Sequence, residues 1–157
     1  MESRKNVCEH ELRGYVVQLR DAIEQAKLNH VDPKPLLFIH HWPSNCCDAP
    51  YLFLWLYSQG YRQMQRRCAD VREYGKGFDR HVWMVLDGIS IDITADQFPG
   101  ISEKVIVSRQ SEWHDSLRLI SEEPWALGGE DWLYQKHLEI ETGESFRNCL
   151  LRYLLKR

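Results

Sequence analysis

The sequence has no run approaching the roughly 20 consecutive apolar residues that a membrane-spanning helix needs. Its charged start, Met1-Glu2-Ser3-Arg4-Lys5-Asn6, leads into no apolar leader. Both absences point to a soluble chain without a cleaved export signal. Basic excess is also missing: the formal net charge is −3 and the isoelectric point about 6.2, so no positive field exists to attract a polyanion and nucleic acid is not the expected partner. The five cysteines, Cys8, Cys46, Cys47, Cys68 and Cys149, are odd in number and lack framework spacing. They read as free thiols in a reducing compartment, hence a cytoplasmic protein, a reading shared by effectors exported without a signal peptide. Repeats, low-complexity segments and linkers are absent, and 157 residues suffice for one domain, 1–157, with its own core.

What is present centres on residues 81–94, His-Val-Trp-Met-Val-Leu-Asp-Gly-Ile-Ser-Ile-Asp-Ile-Thr. Asp87-Gly88 between β-branched and aromatic runs predicts a two-residue hairpin, because a type I′ turn needs positive φ at both central positions. The register then pairs Leu86 with Ile89, Met84 with Ile91 and Val82 with Ile93 on an apolar face. The other face pairs Val85 with Ser90, Trp83 with Asp92 and His81 with Thr94. His81 and Asp92 become diagonal neighbours, roughly 7–8 Å apart at the backbone and closer at the side chains, within reach of a carboxylate orienting an imidazole.

Elsewhere, Leu12, Tyr15, Val16, Leu19, Ile23 and Ala26 recur at helical spacing from about Glu9 to Asn29, and Asp32-Pro33-Lys34-Pro35 ends that helix. A short apolar run, Leu36 to Ile39, leads into His40-His41-Trp42-Pro43-Ser44-Asn45. Cys46 to Gln59 is apolar nearly all round and predicts a buried helix capped by Gly60. Pro50 is tolerated only near a helix start, which sets Cys46 at or beside the N-terminus. Weak alternation from Met64 to Val71 predicts an edge strand, Gly75-Lys76-Gly77 a loop, and Lys104 to Ser108 a third core strand. Ser111 to Ser121 fits neither pattern. Two further helices follow, Glu130 to Ile140 and Ser145 to Leu155, broken at Thr142-Gly143. Helices, then strands, then helices predict an α+β domain.

A thiol reacts as thiolate, and its pKa falls at a helix N-terminus beside a protonatable histidine. Cys46 is placed for the first effect and His81 for the second, with Asp92 to fix the imidazole. Cys46-Cys47-Asp48-Ala49 opening an apolar helix, then His81-Val82-Trp83, then Asp92-Ile93-Thr94, resembles the Cys-x-Asp, His-x-Trp and Asp-x-Thr blocks of the transglutaminase-like branch of the papain-like cysteine protease superfamily. The resemblance covers about Pro43 to Ser108. It implies a nucleophile-bearing helix packed on a small antiparallel sheet, with Cys46 as nucleophile, His81 as base and Asp92 as orienting carboxylate. The sequence departs from the pattern at Cys47, an alternative nucleophile, and at Pro50.

Asn45 and the backbone N–H of Cys46 are candidates for polarising a substrate carbonyl, and His41 and Trp83 for lining the cleft. His40-His41 beside Cys46-Cys47 invites a zinc reading. Adjacent residues on an extended segment point opposite ways and zinc-ribbon or finger spacing is missing, so no metal is expected. Isolated cysteines such as Cys8, Cys68 and Cys149 read as small buried hydrophobes. The expected activity is cofactor-free acyl transfer from an amide of a protein or peptide: cleavage, glutamine deamidation or transamidation. The alternative is a non-enzymatic protein- or peptide-binding module on the same fold.

Overall fold

The computed structural model describes residues 7–28, 43 and 64–124. The predicted helix at Cys46 to Gln59 and the two C-terminal helices lie outside them. Over the described residues the architecture is α+β. Helix α1 (Glu9–Leu28) precedes strands β1 (Gln65–Asp70), β2 (Arg80–Leu86), β3 (Ile89–Asp92) and β4 (Ile106–Ser108), then the short helix α2 (Glu112–Ser116) and strand β5 (Arg118–Pro124). The five strands form one antiparallel sheet in the order β4-β3-β2-β1-β5. No helix among the described residues is long and apolar enough to cross a membrane.

Helix α1 forms where the apolar spacing requires it. Leu12, Val16, Leu19 and Ile23 are fully buried, and acidic Glu9 and Glu11 occupy the first turn, where they complement the helix dipole. The hairpin turns at Asp87 (φ 52°) and Gly88 (φ 76°), the backbone that a type I′ turn demands. Its register is Met84↔Ile91, Val85↔Ser90 and Leu86↔Ile89, as the sequence predicts. The outer three predicted pairs, Trp83 with Asp92, Val82 with Ile93 and His81 with Thr94, do not form. Strand β3 stops at Asp92, whose Oδ1 accepts the Thr94 N–H at 2.8 Å, and the chain bends into a 3-10 turn at Ala95–Gln97.

Strand β1 is an interior strand rather than the predicted edge. The residues that fitted neither pattern supply α2 and the start of β5, and β5 pairs along the outer side of β1. The polar look of β1 has a physical cause: Arg66 meets Glu123 at 3.1 Å and Arg67 meets Glu122 at 2.5 Å across the strands.

Both faces of the hairpin are buried. Met84, Leu86, Ile89 and Ile91 occupy one face, while Trp83 and Val85 join Ala69, Val71, Phe98 and Leu117 on the other. Tyr74, Phe78, Ile101 and Trp113 pack over this second cluster, so the face that carries the polar candidates is covered.

Helix α1 is tied to the β3–β4 side of the sheet by cations that reach backbone carbonyls. Arg13 donates to the carbonyl of Val107, and the buried Arg20 to that of Ile93. Arg20 also grips Asp96 with two parallel hydrogen bonds of 2.8 Å and pairs with Glu24 at 3.0 Å. The 3-10 turn after Asp92 is thereby fixed to the helix. Because Arg20 is buried, Arg20→Met should cost about 3 kcal/mol by leaving Asp96 and the Ile93 carbonyl unpaired. Urea unfolding of Arg20→Met, Asp96→Ala and the double variant should show non-additive losses; additive ones would mean the pair is not coupled.

Candidate active site

Alternation along β2 and β3 sets His81, the second residue of β2, on the same face as Asp92, the last residue of β3. The diagonal becomes a direct contact: His81 Nε2 lies 2.5 Å from Asp92 Oδ2. Asp92 is completely buried and His81 is 3% exposed. A carboxylate removed from water must have its lone pairs filled, and Asp92 fills them on both oxygens. Oδ1 accepts from the Thr94 N–H at 2.8 Å and from the Thr94 hydroxyl at 3.3 Å. Oδ2 is shared between His81 and a second histidine, His114, whose Nε2 lies 2.8 Å away.

His114 sits in α2 and is itself 3% exposed. Its Nδ1 lies 2.6 Å from the hydroxyl of Ser111, at the helix N-cap position. Ser111 makes no side-chain hydrogen bond to the helix backbone, so its hydroxyl serves the ring instead of the cap. Around the two imidazoles stand aromatic rings. Phe98 meets His81 edge-on at 4.9 Å between centroids, and Trp83 lies 4.8 Å from His114. Trp113 is 5.5 Å from His81 and 4.7 Å from His114, and its indole N–H is fixed to the Tyr74 hydroxyl at 2.8 Å. Burial alone would push the Asp92 carboxyl up. The charge of His81 and the hydrogen bonds from His114 and His81 outweigh it, holding Asp92 well below the usual carboxylate range.

His81 Nε2 and the carboxylate thus engage each other. Among the described residues nothing hydrogen-bonds the other ring nitrogen, Nδ1, which leaves it as the position for proton exchange with a further group. Of the predicted partners, Cys46, the alternative Cys47, Asn45 and His41 all lie outside the described residues. So does the zinc reading built on them. Trp83, the candidate cleft-lining residue, is 1% exposed beneath the aromatic cover, and among the described residues its indole N–H has no hydrogen-bond partner. Cys68 is buried as expected, whereas Cys8 is exposed.

His114 was not foreseen. It lies 22 residues from Asp92 in a stretch without clear periodicity, and only the return of β5 beside β1 brings that stretch back across the sheet. The local signal was slight: Ser111 three residues before a histidine, an N-cap pattern that says nothing about the hairpin.

His81, Asp92 and His114 are donor types that can hold a metal, and their nearest atoms lie within 4.8 Å of one another. Two ligands of one tetrahedral zinc at ~2.0–2.2 Å would stand about 3.3 Å apart. Here the carboxylate oxygen is 2.5 Å and 2.8 Å from the two nitrogens, so the arrangement is a hydrogen-bonded hub rather than a coordination shell.

The low Asp92 pKa has a definite sign in stability. The folded protein binds this proton less readily than the unfolded chain, so the stabilisation is complete above the unfolded value of about 3.9 and is lost as pH falls through it toward the folded value. The stability gap between the native protein and Asp92→Asn should therefore shrink on acidification from about pH 5 to 3, as followed by urea unfolding at each pH. A constant gap would contradict an ionised, histidine-held carboxylate. Comparison of the chain with protein-family models, with curated proteins and with solved structures finds no match.

Proposed function

We propose that this chain is a cysteine-dependent acyl-transfer enzyme acting on an amide of a protein or peptide, with Cys46 as nucleophile, His81 as base and Asp92 as orienting carboxylate, on a papain-like core of the transglutaminase-like branch. The observation that carries this reading is the buried His81–Asp92 contact of 2.5 Å through Nε2, with Nδ1 unengaged among the described residues. That polarity is the one a base needs: one nitrogen held by a carboxylate, the other available to a thiol.

In this scheme His81 takes the Cys46 thiol proton at Nδ1, giving a thiolate and an imidazolium stabilised by Asp92. The thiolate sulfur bonds to the amide carbon and the C=O electron pair moves to oxygen. On collapse the C–N bond breaks and the His81 proton passes to the departing amine or ammonia. Water, deprotonated by His81, then releases the acyl group as acid, or an amine releases it as a new amide. Cleavage and glutamine deamidation follow the first course, transamidation the second. The chemistry needs no cofactor, and Asn45 with the Cys46 N–H is the candidate oxyanion donor pair.

A second reading, a non-enzymatic protein- or peptide-binding module, draws on the 3% exposure of His81 and the aromatic cover over it. The two separate on thiol reactivity. Iodoacetamide should label one thiol far faster than free cysteine near neutral pH, and Cys46→Ala in a folded variant should abolish that fast phase. His81→Ala should slow it by at least about tenfold. Labelling at the ordinary thiol rate, or a fast phase that survives Cys46→Ala, would remove Cys46 as the nucleophile; loss on Cys47→Ala instead would move the role there.

A further inference from the structure

The acyl-transfer scheme uses one side of Asp92 and leaves unexplained why a second buried histidine holds the same carboxylate oxygen. We propose that His114 is a positioning residue of this site: held by Ser111 as its Nε2–H tautomer, it shares Asp92 with His81 and sets how strongly the carboxylate holds the base. This rests on the reading of His81 as that base.

The protonation pattern follows from the contacts. An ionised carboxylate only accepts, so the hydrogen bonds to Asp92 Oδ2 at 2.5 Å and 2.8 Å require a proton on Nε2 of both rings. For His114 the 2.6 Å contact from Nδ1 to the Ser111 hydroxyl then has two forms. Either a neutral ring accepts the hydroxyl proton, or a cationic ring donates to the hydroxyl oxygen. When His81 is an imidazolium, a second cation would leave a net positive charge enclosed among Trp83, Phe98 and Trp113, whereas a neutral His114 leaves a neutral cluster. Neutral His114 is therefore the partner that suits the working state.

Among the described residues, the titratable side chains that face His81 are Asp92 and His114 alone; its other ring neighbours are Trp83, Phe98 and Trp113. The Tyr74 hydroxyl of the aromatic cover is directed to Trp113. His114 Nε2–H draws charge from Oδ2, so less of it stabilises the His81 imidazolium. It also fixes the oxygen from a second direction, in addition to the two Thr94 contacts on Oδ1. Without this donor Asp92 would hold the His81 proton more tightly, which favours the ion pair with a thiolate but slows proton delivery to the leaving amine.

The test uses the full chain. With ¹⁵N-labelled histidine, two-bond ¹H–¹⁵N correlation spectra of the wild-type protein near neutral pH should show His114 as the neutral Nε2–H tautomer with slow exchange of that proton. An Nδ1–H tautomer or a cationic ring would overturn the proposal, and this readout needs no variant. The second arm is the pH profile of alkylation by iodoacetate, an anion whose attack is favoured by an imidazolium beside the thiolate. In His114→Phe the alkaline limb should move to higher pH by about one unit, a tenfold change in proton concentration, as expected on removing a hydrogen bond to a charged group. His114→Gln, which retains an N–H donor, should keep the limb close to wild type. A merely structural histidine would leave the limb in place in both variants and change only stability, which overturns the proposal. Should wild-type Cys46 react as an ordinary thiol while the Nε2–H spectrum is present, the acyl-transfer reading fails and the positioning role falls with it; a hyperreactive Cys46 with the wrong tautomer sinks the proposal alone.

Discussion

A buried carboxylate is the constraint to which the described structure answers. Asp92 has no water to solvate it, so every direction around its two oxygens is occupied: backbone and hydroxyl of Thr94 on one, two imidazoles on the other. Each of those donors must in turn be held. Thr94 is placed by the bend that ends β3 and leads into the 3-10 turn. His81 is placed by the ladder with β1, opposite Ala69. His114 is placed by Ser111 and by the packing of the adjacent Trp113 against Phe98. The charge therefore explains why a short helix, a hairpin and a turn from three parts of the chain converge on one point.

The same logic separates what was legible in the sequence from what was not. The hairpin was legible because its information is local: Asp87-Gly88 fixes the turn, the turn fixes the register, and the register decides which side chains share a face. Helix α1 was legible for the same reason, its apolar stripe being written at 3.6-residue spacing. His81 and Asp92 followed from the hairpin alone. The position of β1 inside the sheet did not, since its weak alternation carries no sign that glutamates of β5 lie across from its arginines. His114 was hidden by the same omission, because nothing local in residues 111–117 encodes an encounter with β3. Nor did alternation disclose that both faces of the hairpin would be covered, for polar residues that satisfy one another can occupy a face as closed as an apolar one.

Between an open catalytic groove and a sealed polar core, the described site has features of both. Its carboxylate and its second histidine are enclosed, as structural groups are. Its first histidine has one nitrogen committed and one unengaged among the described residues, an asymmetry that a purely structural histidine does not require. Aromatic packing at 4.7–5.9 Å on His81 and His114 restricts ring rotation, so each ring keeps the same nitrogen turned to Asp92.

The clamp from Arg20 to Asp96 has a consequence for how this arrangement comes into being. Its two ends are separated by 76 positions along the chain, and the accompanying bond to the Ile93 carbonyl spans 73. Contacts so distant along the chain carry a larger loop-closure entropy than the two-residue turn of the hairpin. The hairpin can thus exist, with His81 and Asp92 already on one face, before α1 arrives to lock the turn beyond Asp92. The local contacts of the hairpin set which side chains share a face, and the long-range contacts of α1 supply the restraint on the turn beyond Asp92.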